Sequence, residues 1–333
     1  MTLPIAMNEL ITNISQLIFS WTVIAILLGW LLAAGYPLLT KFLRHFDATT
    51  ASSITLSYSL LAPASATLSL VILFHPALAP ALVAEHCHHG VCGPHKLYIH
   101  TTTAIGTGSI IVTVVVTCVA ALLLCSQLMT NRRWAHLLEQ LSEQATTDYR
   151  LVETPSQAAW CAGLWRPKVY ISRSLWKTLD EKQLELVLKH EFIHAWRRDN
   201  LRKWILHWAS AAWPPALKRQ LRRDFTGSLE KICDLYATGS EIAIEEFRSV
   251  VNKMGQHSDA DTRGAHQPSI HQQSIHQQRI DALKREFTLA AATPEGRGIL
   301  RSLGSSTLLA ALWVLITVLA ISLGHPLLEW LAQ

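Results

Sequence analysis

Four long stretches contain no Asp, Glu, Lys or Arg: residues 17–39, 53–74, 104–124 and 307–323. A helix of about 20 apolar residues crosses the hydrocarbon core of a bilayer. Four buried core helices of a soluble protein would be the alternative. Uncharged runs of this length are the stronger membrane signal, so four spans are expected. Charged residues make up only 16% of the chain, against about 25% in an average soluble domain. The deficit lies in these runs and not elsewhere.

The basic residues orient the spans. Of 29 Lys and Arg, 28 lie either between the first two runs (Lys41, Arg44) or between the third and fourth (Arg132 to Arg301). Only Lys96 sits on the other side. The positive-inside rule then places both termini and the 76–103 loop outside, with the 40–52 loop and region 129–303 in the cytoplasm. The expected location is therefore a membrane, with the lipid bilayer as first partner. The net charge of +5 follows from this topology, and no direct nucleic-acid partner is implied. The amino-terminal segment lacks a basic n-region and a cleavage site, so the first span is expected to stay as an anchor.

Three regions follow: residues 1–128 with three spans, a globular domain over 129–303, and the fourth span with a short outer tail over 304–333. The fold class is mainly α, with a small β-hairpin or sheet in the globular domain. Trp134 to Leu141 continues the third span as helix. Gln157 to Ser172 reads as a hairpin turning at Arg166-Pro167. Asp180 followed by Gln183 can cap a helix that reaches Trp196 and ends near Asp199-Asn200. The apolar, Trp-rich stretch Trp204 to Leu217 is either a helix at the membrane interface or one buried in the domain. Residues 255–278, rich in His, Gln and Ser with a tandem Ser-Ile-His-Gln-Gln, read as a surface loop whose histidines could also take metal.

The chemistry concentrates in His190-Glu191-Phe192-Ile193-His194. Residues four apart share a helix face, so both imidazoles can converge on one divalent ion, and imidazole nitrogen suits zinc. Glu191, rotated by about 100° from His190, can reach a water beside the metal without ligating it. A solvated, charge-rich helix face is the plainer reading of this pattern, but apolar residues line the opposite side of the helix. A third ligand is needed. The metzincin extension would require Gly at 197 and His at 200, where the chain has Arg197 and Asn200. Glu230, on a later helix, is the better candidate, and Asp234 one turn on could orient a ligating histidine. His207 competes from within the tryptophan-rich stretch.

Residues 185–194, the following Arg198-Asp199-Asn200-Leu201, the later Glu230 and Asp234, Gly163 to Ile171 upstream and Arg279-Ile280-Asp281-Ala282-Leu283 downstream resemble the BlaR/MecR family of bacterial integral-membrane zinc metallopeptidases. That family is related to the HtpX-type gluzincins. The four-span layout is similar, and the resemblance covers about residues 15–325. It implies one catalytic zinc at His190, His194 and Glu230, Glu191 as general base and Asp234 behind a ligand. It also implies an edge strand beside the zinc that takes substrate in extended form, here Trp160, Cys161, Ala162, Gly163 and Leu164. The implied partner is a protein substrate, a cytoplasmic transcriptional repressor or the chain itself, and a homodimer is a further candidate.

The antibiotic-sensing members of that family carry a penicillin-binding domain after the fourth span, where this sequence has about ten residues. Ser174-Leu175-Trp176-Lys177 matches S-x-x-K only by spacing. The outer loop could sense instead. Its Cys87 and Cys92 either form a disulfide, bind a soft metal with His86, His88 and His89, or do neither. The competing functions are a non-proteolytic metal sensor or transporter and HtpX-like quality control of membrane proteins. Glu230 separates the first of these from a peptidase, since only the peptidase needs it as a ligand.

Overall fold

The computed structural model describes residues 5–75, 87–88, 91–92, 104–239, 249 and 295–332. In chain order the elements are α1 (Ile5–Leu43), α2 (Ala48–Phe74), β1 (Cys87–His88), β2 (Val91–Cys92), α3 (Ala104–Gln140), β3 (Ser142–Gln144), β4 (Tyr149–Val152), β5 (Ala159–Ala162), β6 (Lys168–Ser172), α4 (Arg173–Thr178), α5 (Glu181–Arg197), α6 (Asp199–Ala209), α7 (Pro215–Thr238) and α8 (Glu295–Ala332).

Three helices are long and apolar enough to cross a membrane: α1 over Asn13–Leu43, α2 over Ala48–Leu73 and α3 over Thr107–Gln140. The fourth expected run lies in α8, whose described apolar stretch is the shorter Ser306–Ser322. Helix α2 is the centre of this bundle. Its buried face is a stripe of small residues, Thr55, Ser59, Ala62, Ala66 and Ser69, which lets neighbouring backbones approach closely. Tyr58 donates to the carbonyl of Leu32 on α1 at 2.8 Å, and Thr317 of α8 reaches Ser65 at 3.2 Å. Helix α3 touches α1 but leaves most of its surface bare, with Val112, Val115 and Leu122 exposed.

The stretch Trp204 to Leu217 is neither a single interfacial helix nor one buried within the globular domain. It forms the end of α6, a corner and the start of α7, with Pro215 in the first turn of α7, where a missing N–H costs nothing. The corner is wedged against the apolar helices. Trp30 donates to the carbonyl of Ala212 at 2.9 Å, and Gly29 faces Ala212 and Trp213. Trp213 meets Tyr36 and Tyr58 edge-on. Gly29 and Trp30 lie midway along the first uncharged run, so the corner penetrates to that level of the bundle. Leu221, Phe225, Leu229 and Ile232 of α7 complete one continuous core with α1, α2 and α8.

The globular part carries a four-stranded sheet in the order β3-β4-β6-β5. β4 and β6 are parallel, while β3 and β5 run antiparallel to their neighbours. The expected hairpin is β5–β6, and β5 forms an edge of the sheet. The strand is shorter than anticipated at its far end: Gly163 and Leu164 fall in the turn. Gly163 has φ +108°, and a Cβ there would meet the Arg166 carbonyl at 3.1 Å, so only glycine fits. Arg150 ties the sheet to the end of α3 through Ser142 and the carbonyl of Glu139.

In the loop before α3, β1 and β2 form a two-stranded ladder with Cys87 directly opposite Cys92 and His88 opposite Val91. His86, His89 and the histidine-rich tract 255–278 lie outside the described residues, as does the matched segment 279–283.

Candidate metal centre

Helix α5 begins with the expected capping box: Asp180 accepts from the Gln183 amide at 2.9 Å and the Gln183 side chain accepts from the Asp180 amide. Such a cap contributes about 1 kcal/mol. Leu186 and Val187 bury one side of the helix, and His190 and His194 follow on that same buried side rather than opposite the apolar residues as expected, because the histidines turn inward toward α7. The helix stops earlier than anticipated, at Arg197. Arg198 takes the left-handed conformation at φ 52°, the one non-glycine residue among those described to do so. Asp199 then opens α6.

That kink has a chemical consequence. On an unbroken helix, residues five apart point about 140° away from each other. Because the chain breaks at Arg198, Asp199 folds back and accepts from His194 Nδ1 at 2.9 Å. Asp199 is 1% exposed, with the Arg197 and Arg202 guanidiniums at 3.5 and 3.6 Å. On the other imidazole, His190 Nδ1 lies 3.0 Å from Asp234 of α7. Each histidine thus has its own carboxylate on Nδ1, which holds the proton there and turns Nε2 toward the partner ring.

Glu230 closes the set. One carboxylate oxygen is 3.6 Å from His190 Nε2 and the other is 3.5 Å from His194 Nε2. Ligand bonds of about 2.1 Å in a tetrahedral zinc site put donor atoms about 3.4 Å apart. The three side chains, whose donor atoms all lie within 4.8 Å of one another, therefore have the donor types and close grouping that suit one zinc-sized cation. Burial raises the Glu230 carboxyl and the two imidazoles lower it more strongly, holding it well below the usual carboxylate range. Burial likewise works against a charged His194, but Asp199 and Glu230 outweigh it and push its pKa up to about 9. His190 is raised as well, again against burial, by Asp234 and Glu230.

Glu191 sits beside this set. Burial raises its carboxyl above the ordinary value, with His190 and His194 pulling the other way. A carboxylate tuned upward suits general-base work near neutral pH. Lys203 of α6 brings its ammonium to 4.0 Å from Glu230.

A second group, His194, Asp199 and Cys233, also gathers potential donors. It is a poorer metal site. Burial and the nearby Asp199 and Glu230 carboxylates drive the Cys233 thiol far up, so it stays protonated, 3.9 Å from Asp199. His207, the competing ligand, packs edge-on against Trp208 and joins neither group.

The edge strand lies close by. Asn200, just after Asp199, donates to the carbonyl of Cys161 at 2.9 Å, and burial together with the Glu191 charge pushes the Cys161 thiol up to about 12. Trp160 points elsewhere, stacking on Tyr170 of β6. Asp199, Asn200 and Lys203 were not anticipated at the site. Their signal was the Arg198-Asp199-Asn200 run, which made sense only once the helix was known to break.

A pair of helical histidines, a carboxylate from a second helix and a half-buried glutamate beside them define a metallopeptidase-type centre. Residues 129–239, a third of the chain, match the family model of peptidase family M48, which supports an M48 metallopeptidase in this segment. Enzymes of that family are typically zinc-dependent, in keeping with the donor set. No curated protein and no solved structure matches the chain.

Proposed function

We propose that this chain is a membrane-anchored zinc endopeptidase that cuts peptide bonds at the cytoplasmic face of a bacterial inner membrane. The observation that carries the reading is the placing of Glu230 at 3.5 and 3.6 Å from the Nε2 atoms of His194 and His190, beside a half-buried Glu191. The topology rests on three apolar helices and on the one-sided distribution of Lys and Arg, with α8 as a fourth span and both termini outside.

Zinc held by His190, His194 and Glu230 would supply Lewis-acid activation of water and of the scissile carbonyl. The remaining work falls to the chain. Glu191 accepts the proton of the attacking water and returns it to the leaving amine. Asp234 and Asp199 keep the two imidazoles in the ligating tautomer. Lys203 offers positive charge where the carbonyl oxygen becomes anionic. The Ala159–Ala162 edge receives substrate in extended form.

By resemblance to the BlaR/MecR family, the target is a cytoplasmic transcriptional repressor, with self-cleavage on activation and the outer Cys87–Cys92 loop as the candidate sensor. One observation favours a second reading, quality control of membrane proteins. The α6–α7 corner is wedged against α1 and α2, which sets the site against the bilayer, within reach of membrane-borne substrates. Comparative proteomics of cells expressing the wild type and Glu191→Gln tests both. Cleavage should fall by about 10²–10⁴-fold with zinc retained, and the protein that accumulates uncut tells the two readings apart. Full activity in Glu191→Gln would refute the peptidase.

A further inference from the structure

The free edge of β5 has a defined end, set by Asn200. The Ser172 amide donates to the Ala158 carbonyl at 2.8 Å, making 158 and 172 a hydrogen-bonded pair. Antiparallel pairs alternate, so Trp160 and Ala162 turn their backbone groups toward β6, while those of Ala159 and Cys161 face away from the sheet. This outward row is what a substrate strand would pair with. Its first part is open: the amide and carbonyl of Ala159 and the amide of Cys161 take no partner among the described residues. Its second part is occupied. Asn200 Nδ2 donates to the Cys161 carbonyl at 2.9 Å and reaches the Gly163 carbonyl at 3.4 Å.

Asn200 is held firmly. It follows Asp199, which is pinned by His194 and two guanidiniums, and it leaves a helix whose position depends on the wedged corner. Asn200 also lines, with Leu164, Trp134 and Trp204, an open cavity of about 450 Å³, so the amide lies where the edge strand meets further space.

We propose that Asn200 is a register-setting residue: by filling the Cys161 and Gly163 carbonyls it ends strand pairing at Cys161, so that a substrate is aligned on Ala159 and only one of its peptide bonds is presented to Glu191. The inference rests on the peptidase reading. Side chains alternate with a period of two along a strand, so a slipped substrate moves in steps of two residues to keep the same faces. Removing the amide frees the two carbonyls and allows that step toward the cavity.

The test uses the full chain in lipid nanodiscs, loaded with zinc, digesting a mixture of synthetic unstructured peptides, with cut positions read by mass spectrometry. Wild type, Asn200→Ala and Asn200→Asp are compared, and zinc content and melting temperature are measured for each. The expected result is new cuts displaced by two residues in both variants. The original cut should lose share to the displaced one, because the freed carbonyls let the substrate pair further along the edge. Unchanged cut positions in folded, zinc-loaded variants overturn the proposal. So does loss of zinc or of folding in both variants, which makes Asn200 a structural tie only. If the zinc-loaded wild type cuts none of the peptides, the peptidase reading itself fails, and that outcome is visible without either variant.

Discussion

Helices α5 and α7 deliver side chains to the same centre but are held in place by different forces. α5 is specified locally. Its capping box, its Lys189–Glu185 ion pair at 2.6 Å and the left-handed Arg198 that ends it all lie within the helix and its immediate flanks. The spacing of His190 and His194 is a property of any helix. α7 has no side-chain cap at its start, and the position of Glu230 comes from Leu221, Phe225, Leu229 and Ile232 sinking into the core shared with α1 and α2. Two donors are thus written in one pentapeptide, while the third depends on how the globular part seats on the apolar bundle. A change in that bundle would reach the metal through α7 first.

This contrast can be broken most forcefully at Phe225, which is fully buried and also carries the Arg202 guanidinium 5.8 Å above its ring. Phe225→Ala should cost about 3–5 kcal/mol and weaken zinc binding by displacing Glu230. Chelator competition and thermal melting of the detergent-solubilised chain would measure both. Unimpaired zinc binding would mean that α7 is set by something other than the shared core.

A smaller effect sharpens the comparison. Asp199 supports His194 from the α5–α6 corner, and Asp234 supports His190 from α7. Asp199→Asn and Asp234→Asn should each lower zinc affinity by about 10–100-fold. Asp199→Asn should also leave Arg197 and Arg202 without their buried counter-charge and lower the melting temperature more than Asp234→Asn does.

The smallest expected effect is in pH. His194 has its pKa raised to about 9 by its two carboxylates, so below that pH zinc must displace a proton from it. Apparent zinc affinity should therefore rise with pH up to about 9 and fall by about tenfold per unit beneath it. Titration calorimetry in buffers of different ionisation enthalpy would report the released proton.

Legibility in the sequence followed the same division. The apolar helices, the β5–β6 hairpin, the capping box and the His190, Glu191 and His194 spacing were all readable, because each is a local pattern. Glu230 and Asp234 were readable as candidates by their one-turn spacing, though only tertiary packing brings them to the imidazoles. Strands β3 and β4 went unnoticed. They are three and four residues long, and β4 gains its place only through parallel pairing with the distant β6. Asp199 was hidden by the assumption that α5 runs on through position 198, since an arginine seldom adopts the left-handed conformation and nothing local announces it. The corner after α6 was readable as apolar and broken, but its wedging depends on Trp30 and Tyr36 of a helix far away in sequence.

The central claim is that one zinc is held by two imidazoles from α5 and one carboxylate from α7. Zinc K-edge X-ray absorption on the full chain tests it directly. The account predicts a shell of nitrogen and oxygen alone at about 2.0–2.1 Å with the outer scattering of two imidazoles, and a changed shell in Glu230→Gln. A sulfur scatterer at about 2.3 Å would place the metal instead among His194, Asp199 and Cys233, and would contradict it.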